Sequence, residues 1–116
     1  MCHVLIIEDE PLVAMEIEDI LMVNGATSVE IVDTEQAAVA AAISHPPKVI
    51  TSDVKLFTGT GPSAVREIQK RLGPVPVIFI TGTPGECIPC DPPGSIVTKP
   101  FSRRIVADAF QAALRV

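Results

Sequence analysis

Two short runs, Val4-Leu5-Ile6-Ile7 and Val77-Ile78-Phe79-Ile80, are apolar at every position. A strand with one wet face alternates apolar and polar residues, so an unbroken run of this length needs cover on both faces, as in a parallel sheet. Val29–Val32, Val49–Thr51 and Ile96–Thr98 are further strand candidates, and helical patterns stand between most of them. Parallel neighbours require such crossovers, and these run right-handed. The pattern therefore predicts an α/β doubly wound (βα)5 domain around a five-stranded parallel sheet.

The first helix opens at Asp9-Glu10-Pro11, where an acid can cap free N–H groups and proline suits the first turn, and it closes at Asn24-Gly25. Val13, Ile17, Ile20 and Leu21 form its inward stripe, with Glu16 and Asp19 away from it. Thr34 caps a second helix, rich in alanine and so able to lie close to the sheet, that ends at His45-Pro46-Pro47. A third runs from Pro62 to Leu72 with Val65, Ile68 and Leu72 inward. The last starts near Ser102 and sets Ile105, Val106, Ala109, Phe110 and Ala113 on one face. Between the fourth and fifth strands, Pro84, Pro89, Pro92 and Pro93 preclude a regular helix.

Charge and composition remove several classes of function. The 116 residues carry 14 acidic and 9 basic side chains, a net charge of −5, with no cationic run to follow a nucleic-acid backbone. Without Trp or Tyr, and with four Phe, platforms for stacking bases or flavins are scarce. No stretch approaches the ~18 apolar residues of a membrane-spanning helix, and the first residues lack a basic region and cleavage site. The sequence thus predicts a cytoplasmic protein that binds neither DNA nor membrane. Its three cysteines, Cys2, Cys87 and Cys90, are expected as reduced thiols.

In a doubly wound sheet, ligands bind beyond the carboxyl ends of the strands. Those ends read Glu8-Asp9-Glu10, Ser52-Asp53, Thr81-Gly82 and Lys99-Pro100-Phe101. A parallel sheet brings them to one edge, gathering carboxylates, a hydroxyl and an ammonium from four segments. Clustered acids repel unless a cation neutralises them, and Mg2+ prefers hard oxygens; Glu8, Asp9 and Asp53 fit such a site. With its charge screened, Asp53 can attack phosphorus to form an acyl phosphate, while Thr81 and Lys99 supply donors for the phosphoryl oxygens.

From Val4–Pro11 through Val49–Asp53 and Val77–Gly82 to Thr98–Phe101, the chain resembles a response-regulator receiver domain of two-component signalling, of the chemotaxis-regulator type. The resemblance implies a flavodoxin-like fold with strand order 2-1-3-4-5, from which the proline-rich, irregular fourth helix departs, since many relatives carry a regular helix there. A single receiver domain over residues 1–116 without an output domain is expected, either standing alone or as part of a longer protein. It implies Asp53 as phosphoacceptor, Glu8 and Asp9 as the acidic pocket, the Lys55 backbone carbonyl as a further Mg2+ ligand, Thr81 as switch hydroxyl and Lys99 as phosphoryl contact. A cis peptide before Pro100 is also implied. The expected donor is a histidine kinase or histidine phosphotransfer protein, and the output is phosphorylation-dependent binding of a downstream protein. Such a domain catalyses its own phosphorylation and dephosphorylation only. Phe79-Ile80-Thr81-Gly82 further resembles the Phe-x-Thr-Gly motif of a subgroup of alphaproteobacterial receivers, some acting in general stress signalling.

Typical members carry an aromatic residue three positions before the lysine, where this chain has Ile96, so ring rotation cannot be the readout. Two alternatives follow. A degenerate receiver would act as a constitutive protein-interaction domain. A Mg2+-dependent phosphohydrolase of haloacid-dehalogenase type needs a second acid two residues after its nucleophile, and Lys55 stands there. Cys87-Ile88-Pro89-Cys90 lacks both the helix start of a redox pair and the second pair of a zinc site, so it reads as ordinary loop thiols. His3 and His45 read as surface or strand-edge side chains rather than metal ligands. Gly59-Thr60-Gly61-Pro62-Ser63-Ala64 lies too far beyond its strand for a dinucleotide loop and reads as the approach to the third helix. Arg103 and Arg104 read as a solvated face.

Overall fold

The computed structural model describes residues 1–86 and 94–115. Five strands, β1 (His3–Ile7), β2 (Ser28–Val32), β3 (Val49–Ser52), β4 (Val77–Thr81) and β5 (Gly94–Thr98), form one parallel sheet in the order β2-β1-β3-β4-β5. The crossovers contain α1 (Pro11–Val23), α2 (Glu35–Ser44) and α3 (Gly61–Leu72), and α4 (Arg103–Leu114) follows β5. A 3-10 turn, Pro84–Glu86, follows β4. Cys87, Cys90, Pro89, Pro92 and Pro93 lie outside the described residues.

Alternation along β1 and β4 explains why both are apolar throughout. Val4, Ile6, Ile78 and Ile80 enter a core with Ile17, Ile20 and Leu21 of α1 and Val106 and Phe110 of α4. Leu5, Ile7, Val77 and Phe79 enter a second core with Ala38, Ala41 and Ala42 of α2 and Ala64, Val65 and Ile68 of α3. Each fully buried Leu, Ile or Phe contributes about 1.5–3 kcal/mol relative to exposure.

Side-chain caps start three helices: Thr34 Oγ1 accepts the Ala37 N–H at 3.1 Å, Thr60 Oγ1 that of Ser63 at 3.2 Å, and Ser102 Oγ that of Ile105 at 3.1 Å. The acidic cap expected for α1 is absent. Its N-cap is Glu10, which makes no side-chain capping bond; Pro11 follows, and its missing N–H leaves one fewer donor to satisfy. Two inward stripes also need correction. In α1 Ala14 is fully buried while Val13 packs at the core margin, and in α4 Ile105 is 54% exposed. Val106 and Phe110, four residues apart, define the buried face of α4, and Ile105 stands about 100° round the helix from Val106, on its outer side. The Lys99–Pro100 peptide is cis.

Candidate functional site

Main-chain bonds at the ends of the strands assemble the site. Asp53 N–H donates to Ile7 O, Glu8 N–H to Val32 O and Lys99 N–H to Thr81 O, each at 2.9 Å. The parallel ladders therefore continue one residue past the apolar runs and set the four functional strand ends side by side. Glu8 is 2% exposed, Asp53 8% and Thr81 0%.

Asp53 is held from two sides. Val54 N–H donates to Oδ1 at 2.7 Å and Lys99 Nζ to Oδ2 at 3.0 Å. Lys99 Nζ also lies 3.1 Å from Glu8 Oε1, and Glu8 Oε2 accepts the Glu10 N–H at 3.3 Å. Burial, and next the Asp53 charge, push the Glu8 carboxyl up to about 7, against the opposing pull of Lys99. Burial works against the Lys99 ammonium, but its hydrogen bond to Asp53 and the charges of Glu8 and Asp53 outweigh it and raise the pKa.

Carboxylate oxygens of Glu8, Asp9 and Asp53 all lie within 4.8 Å of one another. Glu8 Oε1 is buried and, beyond its ion contact with Lys99, makes no hydrogen bond. Three hard anionic oxygens, one with unused acceptor capacity, suit a divalent cation such as Mg2+. Lys55 follows two residues after Asp53 and bridges Thr60 in antiparallel fashion.

Thr81 is placed at the same edge, yet its hydroxyl is engaged locally. Oγ1 accepts the Thr83 N–H at 2.9 Å and lies 3.1 Å from Thr83 Oγ1. Ile96, paired with Phe79 in the sheet, is 46% exposed.

Sequence reasoning missed the supports behind these groups. Gly61 begins α3 directly against the Asp53 main chain, since a Cβ there would overlap the Asp53 carbonyl oxygen and Ser52 Oγ. Ser52 Oγ donates to that same carbonyl oxygen at 2.8 Å. The signal was the glycine just before Pro62, visible in the sequence but without an assigned neighbour. His3 and His45 also meet, stacking at 3.6 Å between ring centroids at the opposite end of β1.

A family model for the response regulator receiver domain matches residues 4–89. The phyllosphere-induced regulator PhyR of Methylorubrum extorquens is 36% identical over 116 residues, covering 97% of this chain and 43% of that relative. The chain thus spans less than half the length of that curated relative. The solution structure of the Erythrobacter litoralis PhyR receiver domain superposes with a TM-score of 0.85 at 34% identity, covering 98% of this chain and 90% of the other. Brucella abortus PhyR superposes with a TM-score of 0.82 at 34% identity over 97% of this chain and 47% of that one. Because the family match takes in the first four strand ends and the PhyR likeness extends through the fifth, the chain belongs to the response regulator receiver domain family and is similar to alphaproteobacterial PhyR receivers.

Proposed function

We propose that this receiver accepts a phosphoryl group on Asp53 from a histidine kinase or histidine phosphotransfer protein. Signalling by phosphorylation is general to receiver domains, which are regulators rather than classical enzymes. The observation that carries the assignment is the environment of Asp53: a buried carboxylate gripped by Lys99 at 3.0 Å, with the Glu8 and Asp9 carboxylates beside it. Glu8, Asp9, Asp53 and the Lys55 backbone carbonyl are the proposed Mg2+ ligands.

In the proposed transfer, a carboxylate oxygen of Asp53 forms the new O–P bond as the donor's N–P bond breaks. The electron pair returns to the imidazole nitrogen. Val54 N–H and Lys99 orient the carboxylate before attack, so little reorganisation is left for the reaction. Lys99 then offers a fixed cation to the phosphoryl oxygens. Bound Mg2+ supplies charge neutralisation for the crowded carboxylates and the incoming phosphoryl group. The Thr81 hydroxyl must exchange its Thr83 bonds for a phosphoryl oxygen, and this exchange is the proposed start of the switch.

The proposed output is phosphorylation-dependent binding of a downstream protein in the cytoplasm. Bartonella quintana PhyR is described as an anti-anti-sigma factor, which supports a partner within a sigma-factor circuit. Among the described residues no helix is long and apolar enough to cross a membrane. Ile96, in place of the usual aromatic, favours a second reading in which the domain binds its partner constitutively.

Intact-protein mass after incubation with acetyl phosphate, with and without Mg2+, tests the assignment. A Mg2+-dependent gain of one phosphoryl group in wild type, absent in Asp53→Ala, is the expected result. Phosphorylation of Asp53→Ala by the cognate donor overturns it. Partner affinity unchanged by phosphorylation selects the constitutive reading.

A further inference from the structure

The segment between Asp53 and α3 is fastened by a side chain from another crossover. Glu35, the first residue of α2, accepts the Thr60 N–H on Oε1 at 3.1 Å and the Ser63 hydroxyl on Oε2 at 2.7 Å. Its own N–H donates to Thr58 O at 3.2 Å, and the preceding Thr34 bridges Thr58 in parallel fashion.

These bonds complete a cap that α3 cannot complete alone. Thr60 is the N-cap of α3 and accepts the Ser63 N–H. In a capping box the third helical residue is Glu or Gln and reaches back to the N-cap N–H. Here that residue is Ser63, too short to do so, and Glu35 supplies the return bond from α2. Gly59 makes room for it: at φ +83° this residue lies under Glu35, and a Cβ would come within 2.5 Å of the Glu35 Cβ.

Thr60 is in turn bridged to Lys55, and Gly61 N–H donates to Val54 O at 2.9 Å. A continuous path of contacts therefore runs from Glu35 through Thr60 to the residues immediately after Asp53.

We infer that Glu35 is a positioning residue that fixes, through Thr60, the loop bearing the Lys55 carbonyl, and thereby sets the affinity of the acidic site for a divalent cation. The inference rests on the reading of Glu8, Asp9 and Asp53 as a Mg2+ site. Glu35 touches neither the cation nor the phosphoryl group. It acts by reducing the number of loop conformations that must be given up when the cation binds.

The test is a Mg2+ titration of unphosphorylated protein followed by amide NMR, with amide hydrogen exchange measured in the absence of Mg2+. Glu35→Ala is expected to weaken Mg2+ binding about tenfold, as for other groups that orient a ligand from behind, and to speed exchange at Thr60 before any metal is added. Ser63→Ala, which removes the bond to Glu35 Oε2 and leaves the Thr60 N–H bond to Oε1, is expected to shift both readouts less and in the same direction. Glu35→Gln is expected to bind within about twofold of wild type, because its carbonyl still accepts from Thr60 and its amide donates to the Ser63 hydroxyl. A wild-type Mg2+ isotherm in Glu35→Ala overturns the inference alone. Equal damage from Glu35→Gln also overturns it, by assigning the effect to charge instead of hydrogen bonding. A wild-type protein that binds no Mg2+, as in an Asp9→Asn control, overturns the metal reading and the inference together.

Discussion

Lys99 Nζ lies 3.0 Å from Asp53 Oδ2 across 46 residues of chain, and the same ammonium stands 3.1 Å from Glu8 Oε1. One cation thus compensates two buried carboxylates. Lys99→Ala leaves both exposed to mutual repulsion, and the expected loss of stability without metal is about 1–3 kcal/mol, below the cost of breaking a wholly buried pair because Lys99 is partly solvated. Mg2+ should raise the melting temperature of Lys99→Ala more than that of wild type, since the added cation replaces the missing charge. Thermal melts with and without Mg2+ measure both effects.

Glu8 gives a pH dependence of definite sign. Its folded pKa, about 7, lies above the ordinary 4.5, so between these values the folded state binds more protons than the unfolded state. Its contribution to stability is complete below 4.5 and is lost as pH rises through about 7. Glu8→Gln is expected to flatten this part of the metal-free stability profile and to be more stable than wild type at pH 8, by on the order of 1 kcal/mol. Urea unfolding across the range reads the slope, and a profile identical to wild type contradicts the assignment.

His3 titrates in the opposite sense. Burial, and then the nearby His45 charge, lower its pKa below 6.5, against a smaller pull from Glu30. A lowered histidine pKa favours the neutral form in the fold, so its contribution is present above 6.5 and lost as pH falls through the folded value. His45→Ala removes both the stacked ring and its charge. The His3 imidazole is expected to titrate closer to 6.5 in that variant, as followed by its ring-proton shifts.

Gly61 is where α3 closes on Asp53. An added methyl would overlap the Asp53 carbonyl oxygen, which is main chain, and Ser52 Oγ, which is buried and donates to that carbonyl. Gly61→Ala is expected to cost about 2–4 kcal/mol, the scale of overpacking combined with a disturbed buried hydrogen bond. Phosphorylation by acetyl phosphate should fall with it even at temperatures where the variant remains folded. Gly85→Ala is the control, because a Cβ at Gly85 meets nothing within 4 Å.

The strands and the strand-end chemistry were legible in the sequence because both depend on short-range pattern. Continuous apolar character in β1 and β4 follows from burial on both faces, and in a parallel sheet the residue after each run must fall at the same edge. That argument alone brings Glu8, Asp53, Thr81 and Lys99 to one end. The exposure of Ile105 was not legible, because helical spacing gives a broad apolar face but not which edge of that face the sheet covers.

The contacts around that edge were decided by tertiary structure. The Lys99 bridge to two carboxylates, the Gly61 approach to Asp53 and the Glu35 staple on α3 join segments 8 to 91 residues apart in sequence, and no periodicity or spacing encodes which side chain meets which. The Thr81 hydroxyl shows the same limit at short range: residue type announced a donor, but the turn after β4 gave that hydroxyl to Thr83. Pattern fixes which way a backbone runs and which residues end a strand. Partner and distance depend on how crossovers pack over the sheet, and that is a property of the whole fold.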